Sequence, residues 1–186
     1  FGVNSIDVSG TKQQKNIIEN LTGAERDKFL DYKKRTAEVF HEINEGFKSV
    51  QETAEKSGIK FSEILSPKRK GDARTIEKVK TEEKGVWDNI KDMNRGTFVV
   101  KDIKDIPKVV DLIKDRMNVV RLKNRIANPT KEGYRDVLIN VELANGTQGE
   151  IQLLLPEMKK AKNDLHKYFE ITRTLTEKQK TEGLSL

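Results

Sequence analysis

The feature that most constrains this chain is a pair of alternating runs, Tyr134–Leu143 and Gln148–Leu155, joined through Asn145-Gly146. Side chains of a strand alternate between faces, so the pairing register decides which residues are buried. A two-residue turn would pair Val141 with Glu150 and Ile139 with Gln152, mixing apolar and polar residues on both faces. A three-residue loop, Ala144-Asn145-Gly146 with Gly146 left-handed, shifts the register by one. Asn140 then faces Glu150, while Val137, Ile139, Ile151 and Leu153 share the other face. That register separates the residues cleanly and is the one expected. The polar face carries Tyr134, Asp136, Asn140, Glu142, Glu150 and Gln152. It is either an ordinary solvated antiparallel face or, given its basic flanks in sequence, the floor of a polar pocket.

Helical periodicity dominates the N-terminal part. A short helix is expected around Gln13–Leu21. Thr22 can cap the next helix, with Glu25 three residues on as in a capping box. From there Phe29, Tyr32, Val39, Ile43, Phe47, Val50 and Ala54 largely keep a three-or-four spacing, which predicts one long helix ended by Gly58. Residues 59–72 read as a loop, and a helix follows over Ala73–Lys84. Gly96–Lys101 and Asn118–Ile126 predict strands on either side of an amphipathic helix, Lys104–Arg116. Residues 127–133 form a loop. Pro156 ends the last strand and opens a helix to about Leu175, with a polar tail from Thr176. His41 and Trp87 read as structural, and His166 as a rim residue of the last helix.

Charge narrows the function. The chain of 186 residues has 36 Lys+Arg against 30 Asp+Glu. Residues 66–80 are net +4 and residues 116–135 net +5, so the remaining 151 residues of a +6 chain sum to −3. Two concentrated basic segments point to a polyanion such as nucleotide phosphate or nucleic acid, or else are two solvated strips. The absence of cysteine excludes a disulfide scaffold and a thiolate nucleophile, and two histidines exclude a His-rich metal site. No apolar run reaches the ~18 residues of a membrane span. There is no GxxxxGK[ST] or GxGxxG loop. Phosphoryl transfer remains open, since it needs a Mg²⁺ held by one or two carboxylates, cations on the phosphates and an orienting group. Asp92 and Glu150 are a candidate pair.

Four motifs, in order, resemble those of RelA/SpoT-type alarmone synthetases over roughly residues 60–175. Lys68, Lys70 and Lys78 resemble the basic ATP motif. Asp92-Met-Asn-Arg95-Gly96-Thr-Phe-Val-Val resembles the metal-aspartate strand entry. Lys123-Asn-Arg-Ile-Ala-Asn-Pro-Thr-Lys-Glu-Gly133-Tyr134-Arg-Asp is similar to the stretch where a strand lysine leads to a Gly-Tyr pair. Glu150-Ile151-Gln152 resembles the Glu-x-Gln motif. The spacings 70–92, 92–150 and 123–134 also suit that family.

The resemblance implies an α/β (α+β) fold, a nucleotidyltransferase-like mixed β-sheet flanked by helices. Residues 1–58 would be a linker and helical extension packing on the core, residues 59–178 the synthetase domain, and residues 179–186 a polar tail. It implies transfer of the β,γ-pyrophosphate of ATP to a 3′-hydroxyl, with release of AMP. Asp92 and Glu150 would be catalytic and hold Mg²⁺. Lys68, Lys70 and Lys78 would sit on the donor phosphates, Arg74 and Arg95 would be nucleotide-binding, with Arg95 meeting either a phosphate or a carboxylate, Lys123 would lie near the acceptor phosphates, Tyr134 would stack on the acceptor base, and Gln152 would support the site. The chain departs from the family at Lys68, usually Arg, for which Arg69 or Arg74 are substitutes. It also departs at Arg74, usually Ser, at Glu132, usually Asn, and at Leu138, which is His in the long stringent-response members. Gly133-Tyr134-Arg135-Asp136 looks more like the small toxin-type members of phage-borne proteins or secreted effectors. The acceptor implied is GDP/GTP, ADP/ATP or a tRNA 3′ end. A cognate immunity or antitoxin protein and a cytoplasmic site of action, with no membrane partner, follow from the same resemblance. A silent nucleotide- or RNA-binding module of the same fold is the alternative.

Overall fold

The computed structural model describes residues 2–87, 90–161 and 164. Helix α1 (Lys12–Glu19) and helix α2 (Gly23–Glu38) each start on a capping box, Thr11 with Gln14 and Thr22 with Glu25. Each box satisfies two backbone N–H groups that the first turn leaves without partners. The long helix expected after Thr22 is instead two, α2 and α3 (Phe40–Lys56), broken at Val39. The apolar spacing lapses between Tyr32 and Val39, and the two halves bury against different partners. Thr36 also turns its hydroxyl back onto the carbonyls of Tyr32 and Lys33, at 3.1 and 2.9 Å, which loosens the last turn of α2.

Strand β1 (Phe61–Arg69) lies where a loop was expected. Ser62, Glu63, Ser66 and Pro67 break the alternation that marks a strand. Pro67 is tolerated because β1 is an edge strand whose register slips between Leu65 and Lys68. Helix α4 (Asp72–Thr81) follows, then β2 (Asn94–Val100), a 3₁₀ turn at Ile103–Asp105, α5 (Ile106–Arg116), β3 (Asn118–Asn124), β4 (Val137–Glu142), β5 (Gln148–Leu154) and α6 (Pro156–Ala161). The remainder of the expected C-terminal helix, with His166 and the polar tail, lies outside the described residues.

The sheet runs β1-β2-β5-β4-β3, and only the β2–β5 pair is parallel. Helix α5 carries the chain from β2 to the far edge, so the hairpin returns β5 to the middle. The hairpin has the expected register, with Asn140 opposite Glu150 and Ile139 opposite Ile151. Gly146 N–H donates to Leu143 O at 2.9 Å, Leu143 N–H to Thr147 O at 2.8 Å, and Gly146 has φ 81°. This is the three-residue loop whose third position favours glycine.

One face of the sheet is covered by α3 and α5 and forms the main core, from Ile43, Phe47 and Val50 to Phe98, Ile139, Ile151 and Leu153. Phe47 stacks on Phe98 with ring centroids 4.0 Å apart. A second core joins α1, α2 and α4 through Ile18, Phe29, Tyr32, Ile76 and Trp87. Trp87 is buried as expected, 5.5 Å from the Phe29 ring. No helix among the described residues is long and apolar enough to cross a membrane.

Gly96 sits where β2 passes directly beneath Phe47. A Cβ there would stand 2.7 Å from Phe47 Cε2 and 3.1 Å from Pro67 Cγ. Since the Phe47 ring is held by its stack on Phe98, Gly96→Ala should lower stability by about 1–3 kcal/mol. Urea denaturation measures this, and an unchanged midpoint would mean that Phe47 moves freely.

Candidate functional site

The face opposite the main core is the site face, and the ladder sets its rows. Lys68 on β1, Arg95 on β2, Glu150 on β5, Asn140 on β4 and Arg121 on β3 are successive cross-strand partners across all five strands. The next row is Leu65, Thr97, Gln152, Leu138 and Lys123. Partners opposite one another project to the same side with Cβ atoms roughly 4.5–5.5 Å apart. The polar face therefore has a lone carboxylate, Glu150, in a row otherwise made of cations and an amide.

Asp92 lies at the entry to β2, buried and enclosed by two ammonium groups. Lys70 Nζ is 2.6 Å from Oδ2 and Lys78 Nζ 3.3 Å from Oδ1. Lys70 is placed by its own backbone, whose N–H donates to Met93 O at 2.7 Å and prolongs the β1–β2 ladder. Lys78 comes from the last turn of α4. Burial works to raise the Asp92 carboxyl, but the hydrogen bond and charge of Lys70, then those of Lys78, hold it below the usual range.

Glu150 is in the opposite condition. Burial raises it above an ordinary glutamate, and the charge of Asp92 adds to that, while Arg95 and Lys78 work against it. Its one ion pair among the described residues is loose, Arg95 Nε to Oε1 at 3.4 Å. A carboxylate with a raised proton affinity beside a cationic cluster is suited to accepting a proton from a neutral hydroxyl.

Beyond Glu150 a tighter network supports the floor. Asp136 is 0% exposed. It receives both nitrogens of a fork from Arg125, at 2.5 and 2.8 Å, and Gln152 Nε2 at 2.6 Å. Gln152 Nε2 also donates to Tyr134 OH at 2.8 Å, and Thr97 donates to Gln152 Oε1 at 3.4 Å. The strand expected from Tyr134 begins only at Val137, and it is the bond from Gln152 that places Tyr134 on the Glu150 side of the sheet. Its ring rests on Val99, Leu154, Met158 and Ala161, with the Arg125 guanidinium 5.4 Å from its centroid. Burial, then the charge of Asp136, pushes its phenol well above the ordinary value.

The structure brings Asp92, Lys70, Lys78, Arg95 and Glu150 together, with Lys68 beside Arg95 and Gln152 one row along. Lys123 is exposed on the edge strand two strands from Gln152, so it borders the site rather than entering the cluster. Arg74 turns to Glu77 at 3.2 Å and is mostly exposed. Arg69 turns its guanidinium to Lys33 O and Thr36 Oγ1, tying β1 to α2. Sequence reasoning missed Arg125 as the partner of Asp136, and Lys33, whose ammonium is buried against Asp72 at 2.6 Å. Two separated residues of opposite charge leave no spacing signal. The one hint was an acidic residue two after Tyr134 in a run about to enter the core.

Solved structures with this architecture settle the fold. A GTP pyrophosphokinase family protein from Streptococcus pneumoniae superposes with a TM-score of 0.59 at 19% identity, over 89% of this chain and 86% of that one. Small alarmone synthetase 1 from Bacillus subtilis, bound to its product pppGpp, gives 0.58 at 17% identity, over 86% and 89%. The fold is that of the small alarmone synthetases. Small alarmone synthetase 2 from the same organism gives 0.54 at 21%, over 86% and 88%. No protein-family model matches the sequence, and no curated protein matches it. The RelA/SpoT-type fold expected from four short motifs is therefore present, as are the mixed sheet and the N-terminal helices.

The Arg125–Asp136 pair makes a sharp stability test within this synthetase fold. Arg125→Met leaves Asp136 charged and buried without its partner, and should cost about 3–5 kcal/mol. Urea denaturation at neutral pH measures it. A loss under about 1 kcal/mol would show that Asp136 finds another cation.

Proposed function

We propose that this chain is an ATP-dependent nucleotide pyrophosphokinase, a diphosphotransferase that moves the β,γ-pyrophosphate of ATP to the 3′-hydroxyl of a purine nucleotide. The observation that carries the reading is the Asp92–Lys70–Lys78 cluster set beside Glu150 and Arg95, on a fold shared with small alarmone synthetases. Four cations, Lys68, Lys70, Lys78 and Arg95, gather around two carboxylates. A triphosphate can take the cations and release the carboxylates, an exchange of one anion for another.

The donor set fits a Mg²⁺ completed by substrate. Asp92 and Glu150 offer two carboxylates, and Mg²⁺ commonly takes one or two from protein with the rest from phosphates and water. Among the described residues no group of three or more His, Asp or Glu side chains is arranged to hold a metal alone. Asp92 and Glu150 would hold the ion, which when bound supplies charge neutralisation at the phosphoryl oxygens.

The chain's own residues do the remainder. Lys70, Lys78, Lys68 and Arg95 bind the donor phosphates and stabilise charge that builds on them. The acceptor 3′-oxygen attacks the β-phosphorus, the bond from that phosphorus to the oxygen bridging to the α-phosphate breaks, and AMP leaves with the oxygen. The hydroxyl proton passes to Glu150. Gln152, fixed by Asp136 and Thr97, holds Tyr134, which with the Arg125 guanidinium offers planar groups for an acceptor base. Lys123 and the edge of β3 lie on the acceptor side.

We retain the division into a catalytic unit of residues 59–178, an extension of residues 1–58 and a tail of residues 179–186. Burial of Ile43, Phe47 and Val50 against the sheet supports reading the α3 part of that extension as integral to the unit. The Gly133-Tyr134-Arg135-Asp136 run and Leu138, an apolar residue between Gln152 and Lys123 in the ladder, support a toxin-type member with a non-guanosine purine acceptor and an immunity protein as partner. Delivery as part of a secreted effector or phage protein to a cytoplasmic site of action belongs to the same reading.

Thin-layer chromatography with γ-labelled ATP and a panel of GDP, GTP, ADP, ATP and tRNA tests the proposal. Label should move onto a nucleotide in the presence of Mg²⁺; label moving only onto tRNA would favour a tRNA 3′ end as acceptor, and no transfer to any of them would favour a silent binding module. Asp92→Asn should lower turnover by at least ~100-fold with the fold intact. A variant with wild-type rate would remove Asp92 from the site. Lys70→Ala with Lys78→Ala should raise KM for ATP and lower kcat, since phosphate cations act in ground and transition states alike. Unchanged ATP affinity by calorimetry would instead indicate a polynucleotide surface, with salt-sensitive RNA binding.

A further inference from the structure

Asn140 and Arg121 are the members of the Lys68–Arg95–Glu150–Asn140–Arg121 row that the chemistry above leaves without a task, and of the two only Asn140 is buried. It is 5% exposed, and its side-chain nitrogen Nδ2 is buried with no hydrogen-bond partner. A strand position on the polar face, next to a carboxylate, is an unusual place for a donor without an acceptor, because buried polar groups are almost always paired. Glu150 is its direct cross-strand partner, and Arg121 flanks it on the other side. Of these neighbours, only Glu150 is an acceptor.

Glu150 pairs instead with Arg95. Glu150 Oε1 is drawn toward Arg95 Nε, at 3.4 Å, on the strand away from Asn140. A donor phosphate that takes Arg95 removes that pull. Other charges acting on Glu150 are Lys78 and Asp92 on the donor side, and Asp136 and Arg125 beyond Gln152. None of these is its cross-strand partner. The amide is the nearest group in the ladder able to replace Arg95 without adding charge.

We propose that Asn140 is a positioning residue for Glu150: in the loaded site its Nδ2 donates to the Glu150 carboxylate and fixes the orientation in which that carboxylate serves the metal and the acceptor hydroxyl. The inference rests on the reading of Glu150 as a site carboxylate. Carboxylates that ligate metals are themselves usually held by hydrogen bonds, and losing such a bond commonly costs about 10–100-fold in metal affinity.

The test is Mn²⁺ binding followed by electron paramagnetic resonance, in the presence of a non-hydrolysable ATP analogue. Wild type, Asn140→Leu, Asn140→Thr and Asp92→Asn are compared, with folding checked by circular dichroism. Asn140→Leu keeps the size but removes the donor, and should weaken Mn²⁺ binding about tenfold or more. Asn140→Thr restores a donor on a strand-favouring residue and should recover most of the loss. Wild-type affinity in Asn140→Leu, alongside lost binding in Asp92→Asn, overturns the role of Asn140 and leaves the site intact. Equal binding by Asp92→Asn and wild type instead overturns the metal reading itself. Should Asn140→Leu fail to fold, the wild type decides alone. The Asn140 side-chain amide protons should move downfield in NMR spectra when Mg²⁺ and the analogue are added together, and unmoved resonances overturn the proposal.

Discussion

The position of β5 governs the structure. Because the β4–β5 hairpin returns to the middle of the sheet, Glu150 comes level with Arg95 on the neighbouring parallel strand. The same placement puts Ile151 and Leu153 into the core under α3 and α5. A slip of one residue would exchange these faces, burying Glu150 and Gln152 and exposing two core side chains. Core formation and site assembly are thus one event, and the left-handed Gly146 that sets the hairpin loop serves both.

On that frame the electrostatics are arranged in opposition. Asp92 sits between two ammonium groups that hold its carboxyl below the usual range, whereas Glu150 is half-buried with one loose cation and its carboxyl is raised by desolvation. Two carboxylates, one just before β2 and one on the neighbouring β5, are therefore shifted in opposite directions by their surroundings. The Lys70–Asp92–Lys78 cluster also explains why two basic segments coexist with a stable fold. In the first segment, Lys70 and Lys78 are neutralised internally by Asp92 and Lys80 by Glu25, while Arg69 binds backbone and hydroxyl oxygens of α2. The second is split, with Arg125 turned inward to Asp136 and Lys123 left exposed at the edge of the sheet.

Much of this was legible in the sequence, and for identifiable reasons. The hairpin register followed from polar and apolar residues that sort cleanly in only one alignment. The capping box at Thr22 and Glu25 is a local signal that tertiary context did not override. The strand β1 was missed because an edge strand with a proline and a bulge lacks alternation, and its ladder is supplied by β2 rather than by its own pattern. The break at Val39 was missed because spacing alone cannot show that two halves of an apolar stripe face different cores. Of the site, Asp92, Lys70, Lys78 and Glu150 could be placed by motif order. The pairing of Arg125 with Asp136, and the lone amide of Asn140, depend on which side chains meet across strands. No linear spacing encodes that.

The central claim is that the site transfers a pyrophosphate intact, and phosphorus NMR of a reaction containing ATP, Mg²⁺ and a purine nucleotide acceptor tests it most directly. The account predicts that AMP accumulates in step with a new 3′-diphosphate on the acceptor, as a coupled pair of resonances, with no free orthophosphate or pyrophosphate. Appearance of ADP with a 3′-monophosphate, or of free pyrophosphate with an adenylylated product, would contradict it.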